Sequence, residues 1–257
     1  MRALKRLNAW INDAALRDVS SKLYIVDIHE RPADTTMEWG SVPGVSGQRL
    51  LHRTRQSVRI QIEFDIRELF NLAERAAIVT AVNAWARDGM LKVSYRPEHQ
   101  MAVVLDEPAS MEDVRDVTST FTLSFRAGPD PYWRDETPRV YSYSGVSVSW
   151  EDISVPGQAK VSPEITITPT ATMNALAVAL SGQVMEFSGL SVPAGTPLTI
   201  DHDERGLLRI RANGISKLSC RTAQSVDDFL LMPGPQGFAY TADGSCAVQL
   251  AIRGRYL

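Results

Sequence analysis

The side chains in this sequence with the chemistry to act as ligands, acids, bases or nucleophiles are thinly spread. Four histidines, His29, His52, His99 and His202, stand far apart, and none belongs to a helical metal-binding pair of the HExxH kind. The densest run of ligand-type residues is Asp201-His202-Asp203-Glu204. Neighbouring side chains on a strand point to opposite faces, so four in a row cannot converge on one ion without an unusual loop. The run reads instead as the charged tip of a hairpin. Gly44-Val45-Ser46-Gly47 lacks the Gly-x-Ser-x-Gly spacing of a nucleophile elbow and reads as a flexible loop. Neither GxxxxGK[ST] nor GxGxxG occurs, and nothing singles out a pair of carboxylates for glycoside chemistry. Cys220 and Cys246 are too few for a disulfide framework and lack metal-ligand spacing. They are expected as two reduced, partly buried thiols, with a single disulfide as the alternative. The expectation is a protein without catalytic, cofactor-binding or metal-binding residues, and not an enzyme.

Composition narrows the classes further. The 257 residues are 44% hydrophobic and 22% charged, which is enough apolar material for a sizeable core in one large or two ordinary domains. A formal net charge of −3 argues against a protein whose main task is neutralising phosphates. Met1-Arg2-Ala3-Leu4-Lys5 opens like a secretory signal, but Asn8, Asn12 and Asp13 break the apolar run too early. The longest uncharged stretch, 165–185, is too rich in Thr, Asn, Gln and Pro to sit in lipid and reads as strand material. The chain is expected to be soluble, with no membrane insertion.

The elements that would position any site begin with strict alternation. Val58, Ile60, Ile62 and Phe64 alternate with Arg59, Gln61 and Glu63, the mark of a half-buried strand. The period then changes: Asp65, with Glu68 three positions on, has the form of a capping box. Leu69, Leu72, Ala73, Ala76, Val79, Val82 and Ala86 follow in helical steps, and Gly89 is placed as a left-handed C-terminal stop. Short strands are expected at 91–95 and 101–105, a loop at 106–116 around Pro108, and a long amphipathic strand at 117–126. Gly128-Pro129-Asp130-Pro131 then forbids a continued ladder and marks a boundary.

Beyond the boundary the pattern is β almost throughout, with runs at 140–150, 165–168, 184–187, 198–201, 207–211 and 247–253. Pro156-Gly157, Gly195, Asn213-Gly214, Pro233-Gly234 and Asp243-Gly244 supply turns, and strands at this spacing indicate a two-sheet sandwich. Two clusters have more than one reading. Arg49, Arg53, Arg55 and Arg59, with Gly44, Gly47 and Gln48 upstream, read as an extended loop or hairpin leading into a strand; they fit a solvated edge whose charges discourage wrong pairing, or a surface that meets another subunit or a lumen. Tyr132, Trp133, Tyr141, Tyr143 and Trp150 fit an interdomain core, or an exposed sugar-stacking platform.

Several segments, in order across nearly the whole chain, resemble the distal tail proteins of long-tailed, non-contractile bacteriophages. They are Val42-Pro43-Gly44 with Gly47 and the Arg-containing strand to Phe64, Val82-Asn83-Ala84-Trp85, and Thr120-Phe121-Thr122-Leu123-Ser124-Phe125 running into Asp130-Pro131-Tyr132-Trp133. In the second half they are Gly189-Leu190, Gly195-Thr196-Pro197-Leu198-Thr199-Ile200-Asp201, Asn213-Gly214, Phe229-Leu230-Leu231-Met232-Pro233-Gly234 and Ile252-Arg253-Gly254-Arg255-Tyr256. Pro235-Gln236-Gly237 departs from the family, where an Asn often follows Pro-Gly soon after.

The resemblance implies a mainly β fold: an N-terminal α+β belt domain (1–132) of strands and one helix, then a C-terminal galectin-like β-sandwich (133–257). It also implies a structural hub of the virion tail tip, assembled in the host cytoplasm, in which copies close into a hexameric ring. The implied partners are further copies of itself, the tail tube protein, the tail-tip or tail-associated lysin protein, and receptor-binding proteins at the periphery. DNA would pass through the channel without specific binding. The alternative function is a carbohydrate-binding β-sandwich that adsorbs to host-cell glycans. For a ring, the stretch 34–55, expected as a long loop, would serve as an intersubunit arm.

Overall fold

The computed structural model describes residues 7–31, 35–41, 46–55, 57–67, 71–110, 120–128, 130–203 and 206–257. The chain divides into two compact units, Met1–Trp133 and Arg134–Leu257. Its architecture is mainly β with one α-helix among the described residues.

The strands of the first unit are β1 (Ala9–Ile11), β2 (Ala14–Ala15), β3 (Leu23–Arg31), β4 (Thr35–Ser41), β5 (Gln48–Arg55), β6 (Arg59–Ile66), β7 (Gly89–Val93), β8 (Arg96–Glu107) and β9 (Phe121–Ala127). Helix α1 (Leu72–Trp85) separates β6 from β7, and β10 (Trp133–Asp135) follows β9 at the division between the units. Seven strands of the first unit run antiparallel in the order β2-β1-β7-β8-β9-β6-β3, the main path of a nine-stranded sheet. Strict alternation on β6 buries Ile60, Ile62, Phe64 and Ile66, as the sequence predicts. The register sets Ile60, Ile62 and Phe64 opposite Phe125, Leu123 and Phe121 of β9. Since paired residues share a face, six large apolar side chains line one surface. Phe64 and Phe121 stack with centroids 5.2 Å apart.

Helix α1 covers that surface. Trp85 meets Phe125 edge-on at 6.3 Å, and the buried Arg75 guanidinium lies 5.1 Å above the Phe121 ring while donating to Ile66 O. The helix starts later than its sequence pattern suggests. Asn71 is the N-cap, its Oδ1 accepting from Ala73 N–H at 3.0 Å. Asp65, the expected cap, is still on β6, paired with Tyr24, because the β3–β6 ladder outcompetes a single side-chain cap; Glu68 and Leu69 lie outside the described residues. Gly89 is not the stop either. Ala86 closes the helix with φ −72° and ψ 93°, and Gly89 opens β7. Its missing side chain serves space rather than conformation, since a Cβ there would sit 2.5 Å from the Asn12 side-chain amide.

The motif at the end of α1 is architectural. Val82 and Trp85 are buried, and Trp85 Nε1–H donates to Ala14 O at 2.8 Å. The Asn83 amide clasps Ala109, donating to its O at 3.0 Å and accepting from its N–H at 2.9 Å. The clasp fixes the chain just after β8. Residues 111–119 of the expected loop and following strand lie outside the described residues.

The second unit contains β11 (Arg139–Val155), β12 (Glu164–Pro169), β13 (Met173–Leu180), β14 (Gln183–Val192), β15 (Leu198–His202), β16 (Leu208–Ala212), β17 (Ile215–Ser216), β18 (Gly234–Ile252) and β19 (Arg255–Tyr256). The 19-residue β18 organises it. Its first half, Phe238 to Ala242, pairs with β13, and its second half, Cys246 to Ala251, pairs with β12. β11 follows β18 along nearly its whole length. One layer is therefore β14-β13 with the start of β18, and the other is the end of β18 with β12-β15-β16-β17. The change of partner falls at Asp243-Gly244-Ser245, a turn signal in sequence that the strand passes through without turning back. Ile165, Ile167, Val178, Leu180, Phe187, Ile200, Phe238 and Leu250 belong to the core of this unit, which has the character of a β-sandwich.

Candidate interaction surfaces

The residues with catalytic or ligand chemistry do not converge. The histidines lie on four strands, β3, β5, β8 and β15. His29 Nε2 is 3.3 Å from Glu63 and 3.7 Å from Asp27. The acidic run at 201–204 is pulled apart by separate partners. Asp201 takes both Nε–H and Nη2–H of Arg209, at 2.9 and 2.6 Å, which raises the Arg209 pKa. His202 Nε2 meets Asp228 Oδ1 at 2.7 Å. Asp203 shapes the expected hairpin tip, its Oδ1 accepting from Leu207 N–H; Glu204 lies outside the described residues. Among the described residues no three His, Cys, Asp or Glu side chains gather to hold a metal ion. Both cysteines are free thiols. Cys246 is buried, and burial, with Asp243 nearby, raises its pKa.

The basic cluster divides. Arg59 is engaged within its own unit, reaching Glu107 at 2.7 Å, Asp106 at 3.2 Å and Ser124 Oγ at 2.8 Å. Arg49, Arg53 and Arg55 belong to β5, and the backbone there corrects the expected loop: β4 and β5 pair as an antiparallel hairpin. Residues 42–45 at its turn, including Val42, Pro43 and Gly44, lie outside the described residues. The hairpin forms a two-stranded sheet of its own. Every side chain described on it is exposed, apart from the half-buried Gly40. Trp39 pairs with Leu50, and they are 53% and 45% exposed. Leu51, the extra residue of a register shift, is 63% exposed and lies over Gly40, where a Cβ would come 2.5 Å from its Cδ1. A two-stranded hairpin with no third layer is marginal in water. Large apolar side chains on such an element mark a surface built to meet something else.

The first unit also carries a long open edge. Among the described residues β3 pairs on one side only, with β6, and a register shift falls at Val26. Tyr24 and Val26 are exposed, with the Arg67 guanidinium 3.7 Å above the Tyr24 ring. β2, at the opposite end, has only two residues. A two-residue edge offers little to pair with, so the nine-residue β3, on either side of its bulge, is the longer free edge among the described residues.

The five aromatics of the boundary do not form one group. Trp133 is fully buried in the first unit, where Nε1–H donates to Glu30 Oε1 at 2.8 Å and Arg96 lies over the ring. Tyr143 stacks on Phe238 at 4.9 Å, and burial raises its pKa, with Glu151 adding to it. The Tyr141 hydroxyl donates to Ser154 O and accepts from Ser154 N–H. Trp150 alone among them is a large exposed surface, at 56%. Its φ is +39°, a left-handed conformation costing a bulky L-residue about 1–3 kcal/mol. It sits where the β11–β18 register shifts between Val148 and Glu151. Bulges re-aim side chains, and no pattern in the sequence reveals this one.

No family model and no curated protein sequence matches the chain. Among solved structures, the Dit protein of phage SPP1, described as a paradigm of the hub adsorption apparatus in phages infecting Gram-positive bacteria, superposes with a TM-score of 0.72 at 10% identity. The match covers 97% of this chain and 99% of that one. The chain has a Dit fold. Two chains from the phage P2 baseplate in its activated conformation, with calcium and with strontium, cover 96% of this chain at 7% identity, with TM-scores of 0.45 and 0.44. Those scores are too low to carry an argument.

Proposed function

We propose that this chain is a structural hub protein of a phage tail tip, as the resemblance read from the sequence implies. The observation that carries the reading is the end-to-end likeness in fold to the SPP1 Dit protein, since a likeness spanning both units is harder to reach by chance than one sandwich. The hub forms a hexameric ring that joins the tail tube to the tail-tip or tail-associated lysin protein, with receptor-binding proteins as further partners. The first unit makes the ring and the second, galectin-like unit stands outside it. The chain acts in the virion tail tip and assembles in the host cytoplasm.

The surfaces suit that role. A closed ring repeats one heterologous contact, a patch on each copy against a different patch on the next. The β4–β5 hairpin and the open edge of β3 are two such unlike patches, with an arm that lacks a layer to lie on and a strand that lacks a neighbour. The net charge of −3 suits a channel that DNA crosses without sticking.

The test is to delete residues 42–50 and follow assembly by native mass spectrometry and negative-stain microscopy, alone and with the tail tube protein. The full chain is expected to form rings and the deleted chain to remain a folded, soluble monomer. Rings formed by the deleted chain would refute the arm. A full chain that associates neither with itself nor with tail proteins would refute the hub.

A further inference from the structure

We infer that the second unit carries a binding site for a neutral hexopyranose, built on Trp150 and Asp152. The hub reading neither requires nor supplies this site, and its test is independent of ring formation.

Trp150 is displaced from the regular ladder by the bulge at Ser149 and Trp150 and held at positive φ. The indole rides on Gly237, and a Cβ there would run into Trp150 Cε2 and Cζ2. The ring is therefore backed by main chain while more than half of the residue faces solvent. Asp152, two residues along the same strand and paired with Gly237, is exposed. Its carboxylate has no partner among the described residues.

The other wall is the tight turn between β13 and β14. Ser181 and Gly182 both have positive φ, at +51° and +82°. Ser181 N–H donates to Gly237 O at 2.9 Å, and its hydroxyl bonds Gln236 Oε1. Gln236 is locked at its other end, Nε2–H donating to Met232 O at 2.9 Å. Together these residues line an open cavity of about 450 Å³.

This arrangement matches one ligand chemistry. A pyranose presents a face of C–H groups that packs on an indole, and vicinal hydroxyls that donate to a carboxylate. A shallow pocket with one aromatic wall and a few fixed polar groups is the form such sites take. The Asp152 carboxylate repels uronic and sialic acids. A quaternary ammonium fits less well, because it is held by several aromatic faces and here there is one.

The test uses the full chain and ligand-observed saturation-transfer NMR against methyl glucopyranosides, galactopyranosides and mannopyranosides, N-acetylglucosamine, glucuronic acid and tetramethylammonium. At least one neutral pyranoside is expected to bind with Kd of about 1–10 mM, receiving saturation mainly on its apolar ring face. Trp150→Ala abolishes the signal, and Asp152→Asn weakens binding about tenfold with the fold intact, reflecting loss of a charge-assisted bond. Trp39→Ser, on the other unit, leaves binding unchanged. The inference is overturned if no neutral pyranoside binds, if Asp152→Asn and Trp150→Ala both bind like the parent, or if only tetramethylammonium or glucuronic acid responds.

Discussion

The hairpin makes the most direct claim on a partner, and Trp39→Ser isolates it. A tryptophan side chain offers on the order of 250 Å². With Trp39 53% exposed, about 130 Å² remains for a partner to cover, and at about 25 cal/mol per Å² its burial contributes about 3 kcal/mol. Losing that at each joint weakens each subunit contact by a factor of about 150. The proposed ring would repeat one joint, so the assembly midpoint should move to higher concentration by at least one such factor. The same change should leave the folded chain within about 0.5 kcal/mol of its parent, as other exposed substitutions do. A small further loss of about 0.2–1 kcal/mol comes from the Trp39–Leu50 cross-strand pair and falls on the hairpin. Mass photometry over a concentration series reads assembly, and urea unfolding reads stability. An unchanged assembly midpoint would refute the reasoning. So would a fall of several kcal/mol in stability, which would mean the hairpin belongs to the core of its own chain.

Other expectations follow from the interior. Asn83→Ala removes two hydrogen bonds and strands the Ala109 N–H and O, so urea unfolding should show a loss of about 2 kcal/mol. Thiol titration with an aromatic disulfide should count one fast group, the partly exposed Cys220, and a second only on unfolding, because Cys246 is buried with a raised pKa. At high pH the tyrosines decide: burial and Glu30 push Tyr95 to about 12, and burial also raises Tyr143 and Tyr240. The fold favours their neutral forms, so this stability is whole below the unfolded pKa near 10 and is lost as pH climbs toward 12. Urea midpoints should thus hold steady up to about pH 9 and fall beyond about pH 10. A midpoint that rose over that range would contradict the sign.

What the sequence makes legible is whatever one face of the core imposes. β6 is readable because its alternation is the burial pattern itself, and β9 nearly so, with only the small Ser124 buried out of register. The helix is readable as an element but its stripe only in part: Val79, Val82 and Ala86 are buried, Leu72 and Ala73 are exposed, and Arg75, Ile78 and Trp85 complete the buried face. Its start is not readable, because Asp65 with Glu68 and the single Asn71 are comparable local signals. The choice between them is made by β3, which holds Asp65 in the ladder. Gly89 misleads because glycine serves two needs, positive φ and space, and only the nearness of Asn12 tells them apart. The hairpin is legible only as one of two readings, loop or hairpin, because the side chains described on it are exposed and no alternation decides between them. Trp150 can be picked out as one aromatic among five, but what separates it from Trp133 is a bulge two strands create together.

Part of the family resemblance lies in the interior, apart from the residues that could carry recognition. Val82, Asn83, Trp85, Phe121, Phe125 and Trp133 spend their contacts on the helix, the sheet and Ala109 or Glu30. They are interior, and changing them costs stability before it changes any surface. Trp39, Leu50, Leu51 and Trp150 are exposed, so the fold does not constrain their identity. A fold can therefore persist at low identity while its contact surfaces diverge, so the proposed ring and the proposed sugar site each need a test of their own. The consequence is separability. Trp39 and Trp150 belong to different units with no shared partner, so their effects should add. The double variant should lose ring formation and pyranoside binding by the same factors as the single ones. A measurable interaction between the two would mean that the ring and the sugar site are one surface.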